Sequence, residues 1–295
     1  MEILNFLFED NNFEDKNFAN ERFESKNIVK SLNHVDLCFV VDTTGSMGSF
    51  IQAAQRQLLD TIKLLSANNS IDLQVALVEY RDHPPQDTSF VTRIYPLTAN
   101  LQKMQQCINK LKADGGGDAP EAVYSGVWDG CEKIQWRSHS CRFILLVGDA
   151  PPHGFSKWLQ EMSLEQKSRN HFGDSWVNGC PSGLDVQSVT ATAENHRVTI
   201  HALCMGSDSF TMQAFAAIAT ATGGECVSAN NAKDAIDKIV DTLTSEFSDL
   251  EFDRKVLHVV QQMSQLDINK TAEILNSPRL PVAASIARLG KRGFF

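Results

Sequence analysis

The chain has 295 residues, 42% of them hydrophobic and 21% charged, enough for one large α/β domain with extensions. Its net charge of −9 and pI near 5.4 argue against a general nucleic-acid-binding or anionic-membrane surface. No apolar stretch approaches membrane-spanning length, and the acidic start after Met1 lacks the basic-then-apolar order of a signal peptide.

Residues 1–33 are rich in Asn, Glu, Asp and Phe, with apolar residues every five positions (Ile3, Phe8, Phe13, Phe18, Phe23, Ile28). On a helix that period turns successive apolar residues by about 140°, and on a strand it alternates faces, so it suits neither element. A pentapeptide solenoid needs small inward residues where Asn11, Lys16, Glu21 and Lys26 stand. A tether with aromatic contacts is expected, a short partner-docking segment being the alternative.

From Val35 the pattern becomes regular. Strands are predicted at Asp36 to Val41, Leu73 to Tyr80, Phe90 to Tyr95 as an antiparallel edge, Arg142 to Val147, Val198 to Met205, and briefly at Cys226-Val227. Helices are predicted from Ser49 to Ala67, Leu101 to Leu111, Ala119 to Gln135, Phe210 to Ala221 and Ala232 to Phe247. Strands alternating with helices give a doubly wound α/β fold, a mostly parallel sheet with helices on both faces. Pro151 to Pro181 interrupts the alternation directly after Asp149, where insertions serve as lids or binding loops. The organisation is therefore a tether at 1–33, a domain at 34–248 with an insertion at 151–181, and a helical extension at 249–295. That extension ends in a mildly basic tail carrying Arg279, Arg288, Lys291 and Arg292.

The apolar run Leu37 to Val41 delivers Asp42, Thr44 and Ser46 to a strand end, and Phe143 to Val147 delivers Asp149 to another. Between them the glycine run Gly115 to Gly117 leads to Asp118. Hydroxyls and carboxylates gathered beyond parallel strands make a site for a hard cation such as Mg²⁺. Asp118-Ala-Pro-Glu121 also reads as an N-cap with an acidic first turn, and Glu121 is assigned to that cap. Arg81-Asp82-His83-Pro84 reads as a turn stabilised by Asp82 with Arg81 exposed. His153, His171 and Cys180 lack the paired spacing of a zinc motif, and His201 is expected to be a core or edge histidine.

The blocks DTTGSM (42–47), GGGDAPE (115–121) and GDAPPHG (148–154) resemble the von Willebrand factor type A domain, in wording closest to those of hemicentins and alpha-kinase-associated domains. The family's metal-ion-dependent adhesion site (MIDAS) has the pattern Asp-x-Ser-x-Ser; here Thr44 replaces one serine and keeps the hydroxyl. The resemblance covers residues 34–248 in element order. It implies metal contacts through the hydroxyls of Thr44, Ser46 or both, with Asp42 and Asp149 binding directly or through metal-held water. Mg²⁺ is the expected ion, with Mn²⁺ or Ca²⁺ as alternatives. Relatives place a threonine after the glycines, where this chain has Asp118. That residue is either a direct ligand or an acceptor for its own loop. If direct, it weakens the metal's attraction for an acidic residue of a protein partner.

Enzyme signatures are missing. The second aspartate of an aspartyl-phosphate phosphatase is replaced by Thr44, and neither GxxxxGK[ST] nor GxSxG occurs. The expectation is a non-enzymatic, metal-dependent protein-interaction module. The alternatives are a metal-dependent hydrolase using the same carboxylates, or a structural module whose metal only pins loops. Seven cysteines without a pairing pattern, with Cys38 and Cys204 inside apolar strands, point to a reducing compartment and a cytoplasmic protein.

Overall fold

The computed structural model describes residues 32–68, 71–157 and 173–295. The tether assigned to 1–33 lies outside them except for its last two residues, and so do the Trp158 segment and His171 of the insertion. Two compact units divide the chain, one of them His34–Ser248 and the other including Asp249–Phe295.

In the larger unit, β1 (His34–Asp42) is followed by a 3-10 turn, α1 (Gly48–Ala53), a π-helical turn and α2 (Leu59–Asn68). β2 (Asp72–Tyr80), β3 (Thr92–Thr98), α3 (Leu101–Ile108), α4 (Val123–Glu132) and β4 (Cys141–Gly148) come next. α5 (Val186–Asn195), β5 (Val198–Met205), α6 (Ser209–Ala221), β6 (Cys226–Ala229) and α7 (Ala232–Met263) complete it. The sheet order is β3-β2-β1-β4-β5-β6, and only β2 with β3 pairs antiparallel. The expected doubly wound sheet and its antiparallel edge are both present.

Chemistry dictates the central strands. β1 and β4 are buried at nearly every residue, with continuous apolar runs at Leu37 to Val41 and Phe143 to Val147, because helices cover both faces and no solvent face asks for alternation. On one face Cys38, Val40, Val78, Tyr80, Ile144, Leu146, Ile200 and Phe215 belong to one buried cluster with Val123 and Val127 of α4. Gly126 lets that helix approach: a Cβ there would stand 2.8 Å from the Tyr80 ring.

Several boundaries differ from the sequence expectation. α4 begins at Val123, four residues later than predicted, with Ala122 as its N-cap and no side-chain cap bond. The cap reading of Asp118 and Glu121 is therefore wrong; Glu121 instead bridges to Pro152 in extended backbone, donating its N–H to the Pro151 carbonyl at 3.0 Å. α5 was not anticipated, although Asp185 and Ser188 form a reciprocal capping box at its start. α7 does not stop at Phe247 but continues to Met263, its last part belonging to the second unit.

In that second unit α8 (Ile268–Ile274) is capped by Asp267 and precedes α9 (Arg279–Lys291). The basic tail is partly internal. Arg288 and Arg292 both donate to the fully buried Asp253, at 2.6 and 3.0 Å.

Candidate metal centre

The sheet reverses its winding between β1 and β4, the switch point where an open parallel sheet leaves a crevice at its carboxyl end. Parallel register brings Val41 opposite Val147, so Asp42 and Asp149 leave the sheet side by side. Gly148 is required there: a Cβ would fall 2.3 Å from the Tyr80 hydroxyl and 3.3 Å from Asp42 Cβ. A cleft of about 380 Å³ opens above, lined by Thr44, Ser46, Gly116, Asp118, Glu121 and Asp149 among others.

Neighbouring loops are tied together by main-chain bonds. The Gly45 amide donates to Gly115 at 3.3 Å and the Asp114 amide to Thr43 at 3.1 Å, fastening the glycine loop beside the β1 loop. Gly115 and Gly116 have φ of 78° and 84°, a left-handed conformation that glycine adopts without penalty. The Ala122 amide donates to the Arg81 carbonyl at 2.8 Å, joining the β2 loop to the entry of α4.

Hydroxyl protons set the polarity of the cleft. Thr44 Oγ1 donates to Asp42 Oδ1 at 2.7 Å, and the Thr44 amide donates to the same oxygen at 2.8 Å. Ser46 Oγ lies 3.4 Å from Thr44 Oγ1. With its proton given to Asp42, the Thr44 oxygen is left with lone pairs beside the Ser46 hydroxyl, an arrangement suited to a cation. Asp42 Oδ2 is buried and has no hydrogen-bond partner. That uncompensated anion is costly by itself and supplies the charge a cation would balance. The residues present fit a bound divalent ion.

Asp118 lines the same cleft as Thr44, Ser46 and Asp149. Its Oδ2 accepts from the Ser175 amide at 2.7 Å, and its Oδ1 is buried without a partner. Its carboxylate groups with Asp82 and His153, ligand atoms from the three lying within 4.8 Å of one another.

The β2 loop departs from expectation because β2 runs parallel to β1, which puts it at the same end as the cleft. Arg81 is not exposed. It is 7% accessible, donates to Ser89 and to the Lys112 carbonyl, and stacks over Phe90. Asp82 is fully buried and accepts from His153 Nε2 at 2.6 Å, while His153 Nδ1 donates to Asp174 at 2.8 Å. Burial opposes a charged imidazole, but the hydrogen bonds and charges of Asp174 and Asp82 outweigh it and raise the His153 pKa to about 9. His201 is buried in β5 as expected, accepting from the Glu225 amide and facing Glu246.

Carboxylates dominate the electrostatics. Burial, then the charges of Asp42, Asp82, Asp118 and Asp149, drives the Glu121 pKa far above the usual carboxylate range. Burial and the adjacent Asp149 likewise raise Asp42. Glu121, Asp82, His153 and Asp174 are the site residues that sequence reasoning missed. The GDAPPHG block contained a signal in His153, but its partners are far away in sequence.

His83 provides a pH test. It is buried against Trp176, with its Nε2 3.4 Å from Cys180 Sγ, and burial followed by the charge of His153 lowers its pKa to about 4. A group depressed from 6.5 stabilises the fold above that value and loses the contribution as pH falls to about 4, a loss of up to ~3 kcal/mol. Urea unfolding across that window is expected to show a shallower decline in His83→Gln than in the wild type.

These features define a doubly wound α/β domain with a hydroxyl-and-carboxylate cation site at its switch point. Residues 36–172 match the family model of the von Willebrand factor A domain. The alpha-protein kinase vwkA of Dictyostelium discoideum is 25% identical over 162 residues, covering 55% of this chain and 24% of that protein. An ariadne-like RING finger protein of Acanthamoeba polyphaga mimivirus, R811, is 29% identical over 119 residues, covering 40% of this chain and 11% of that protein. The chain thus matches a quarter or less of the length of these curated relatives. Among solved structures, the pilus adhesin SpaC of Lactobacillus rhamnosus GG aligns with a TM-score of 0.49 at 16% identity, over 73% of this chain and 30% of that one. Proximal thread matrix protein 1 of the mussel byssus, with a zinc-occupied MIDAS motif, aligns at 0.48 and 14% identity, over 72% of this chain and 46% of that one. No helix among the described residues is long and apolar enough to cross a membrane.

Proposed function

We propose that the domain is a metal-dependent protein-interaction module that binds Mg²⁺ through Thr44, Ser46, Asp42 and Asp149 and docks a protein partner over the cleft. The observation that carries this reading is the Thr44 hydroxyl whose proton Asp42 holds, with Ser46 Oγ 3.4 Å away and an unpartnered Asp42 oxygen beside them. A bound Mg²⁺ supplies a positive centre that a partner's oxygen can approach. This chain's residues orient the hydroxyls, keep Asp42 from bulk water and hold the glycine loop against the site. Asp118 lines the cleft as a carboxylate, so a partner's acidic group meets more repulsion here than at an uncharged rim. Contacts from the segment after Asp149 would then carry much of the docking.

Among the described residues no nucleophile with an adjoining base stands beside the hydroxyls, which favours binding over catalysis. Cys180 and His83 are close, but the thiol is buried and its pKa raised by that burial. The relatives' names place such domains in larger proteins, and a cytoplasmic setting is part of this proposal. The test is capture of a defined protein partner with and without chelator while circular dichroism monitors the fold. Loss of capture on chelation with the fold intact supports docking through the metal. Capture indifferent to metal, together with phosphoester or peptide turnover abolished in Asp42→Ala, would replace this reading with the hydrolase.

A further inference from the structure

Asp82 and Asp118 group with His153, and Glu121 stands close enough to feel the charges of both as well as that of Asp42. Asp82, fully buried, keeps an unpartnered Oδ2; Glu121, 4% exposed, keeps an unpartnered Oε2; and Asp118 Oδ1 is also unpartnered. Arg81 does not balance them, being engaged by Ser89, the Lys112 carbonyl and Asp87. The imidazole of His153 does face them, with Nε2 2.6 Å from Asp82 Oδ1. The imidazole reaches only one of these oxygens, and a bound cation is the direct remedy for those left without a partner.

We propose that Asp82, Asp118 and His153, with Glu121 beside them, form a second divalent-cation site that takes Zn²⁺ and is distinct from the Mg²⁺ site at Thr44 and Ser46. One imidazole with carboxylates is a zinc donor set, whereas Mg²⁺ prefers oxygen alone. The three residues come from loops at the carboxyl end of the sheet, and their ligand atoms already lie within 4.8 Å of one another. Zinc bonds of about 2.0–2.2 Å need ligand atoms about 3.3 Å apart, reached by small side-chain rotations. On binding, the ion takes the Nε2 lone pair, and the proton that Nε2 shares with Asp82 leaves to solvent.

The other ring nitrogen is already set for this role. Nδ1 donates to Asp174 at 2.8 Å, the outer carboxylate that characteristically orients a metal-bound histidine. Asp174 is itself fixed by the Gly154 amide at 2.9 Å and the Trp176 amide at 2.8 Å. The edge of the Trp176 ring packs against His153 with centroids 4.6 Å apart, limiting ring rotation.

The test uses the full chain, stripped with chelator and then saturated with Mg²⁺. Calorimetric titration with Zn²⁺ is expected to show one further tight equivalent. X-ray absorption at the zinc edge of that one-equivalent complex is expected to show an imidazole ligand. His153→Gln should weaken the step by ~100-fold or more, and Asp82→Asn by at least ~10-fold. Ser46→Ala should weaken Mg²⁺ binding and leave the zinc step in place. The proposal is overturned if the Mg²⁺-saturated wild type takes no further equivalent, or if its zinc has no imidazole neighbour. It also fails if the zinc step vanishes in Ser46→Ala but persists in Asp82→Asn, because one site would then serve both ions. The wild-type measurements decide the matter even if His153→Gln fails to fold. Loss of the Mg²⁺ step alone would count against the interaction-module reading and leave the zinc site standing.

Discussion

Replacing Thr44 and Ser46 together by alanine is expected to lower Mg²⁺ affinity by ~100-fold or more, because removing even the outer partners of a metal site costs 10–100-fold. That loss corresponds to at least ~2.7 kcal/mol of binding free energy. Asp42 holds the Thr44 hydroxyl, with Ser46 Oγ 3.4 Å from it, so alanine removes both oxygens and leaves the buried Asp42 without its hydroxyl donor. In chelator the double variant should lose only ~1–2 kcal/mol, since the Thr44 hydroxyl bond is replaced by nothing while the Thr44 amide still serves Asp42. Thermal unfolding with and without Mg²⁺ separates the two effects. The wild type should gain ~2.7 kcal/mol at a hundredfold excess over its dissociation constant, and the variant almost nothing. An undiminished Mg²⁺-induced rise in the variant's Tm would refute the assignment of the hydroxyls.

The second large effect lies in the unit that includes Asp249–Phe295. Asp253→Ala should destabilise it by ~3–5 kcal/mol, the range for removing one partner of a buried ion pair. Asp253 is fully buried and receives Arg288 through two nitrogens and Arg292 through one. Arg292, with a side chain only 7% exposed, would lose the buried carboxylate to which it donates. Hydrogen exchange should report the change as loss of protection in α9. A double variant, Asp253→Leu with Arg292→Met, should recover much of the loss, because apolar replacement of a whole buried pair is often neutral or better. If Asp253→Ala alone leaves α9 protected, the ion pairs are not what holds that helix.

Strands and most helices were legible from the sequence because their signals are local. The apolar runs of β1 and β4 announce central strands, and the residues that follow them announce what the sheet delivers to its end. Thr44, Ser46 and Asp149 follow from that placement alone. Asp82, Glu121 and His153 did not, because each is defined by partners brought in by other loops. Asp82 resembled a turn residue until parallel pairing of β2 put its loop at the cleft. Glu121 resembled a helix cap because an acid just after proline usually is one, yet the chain stays extended there to bridge Pro152. Helix α5 escaped notice although its capping box is local, because the insertion before it masked where regular structure resumes.

The pairing of β1 directly with β4 has a kinetic consequence. The chain between Asp42 and Asp149 holds α1, α2, β2, β3, α3 and α4, and pairing β4 with β1 closes all of it into one loop. Such a non-local contact carries a loop-closure cost and forms slowly compared with the helices. A fragment ending before β4 would contain the whole DTTGSM block and still lack half of the site. A cation bound there would reward only molecules in which the two halves of the sheet have joined, so its main effect would be to retard their separation rather than to hasten the search that brings them together.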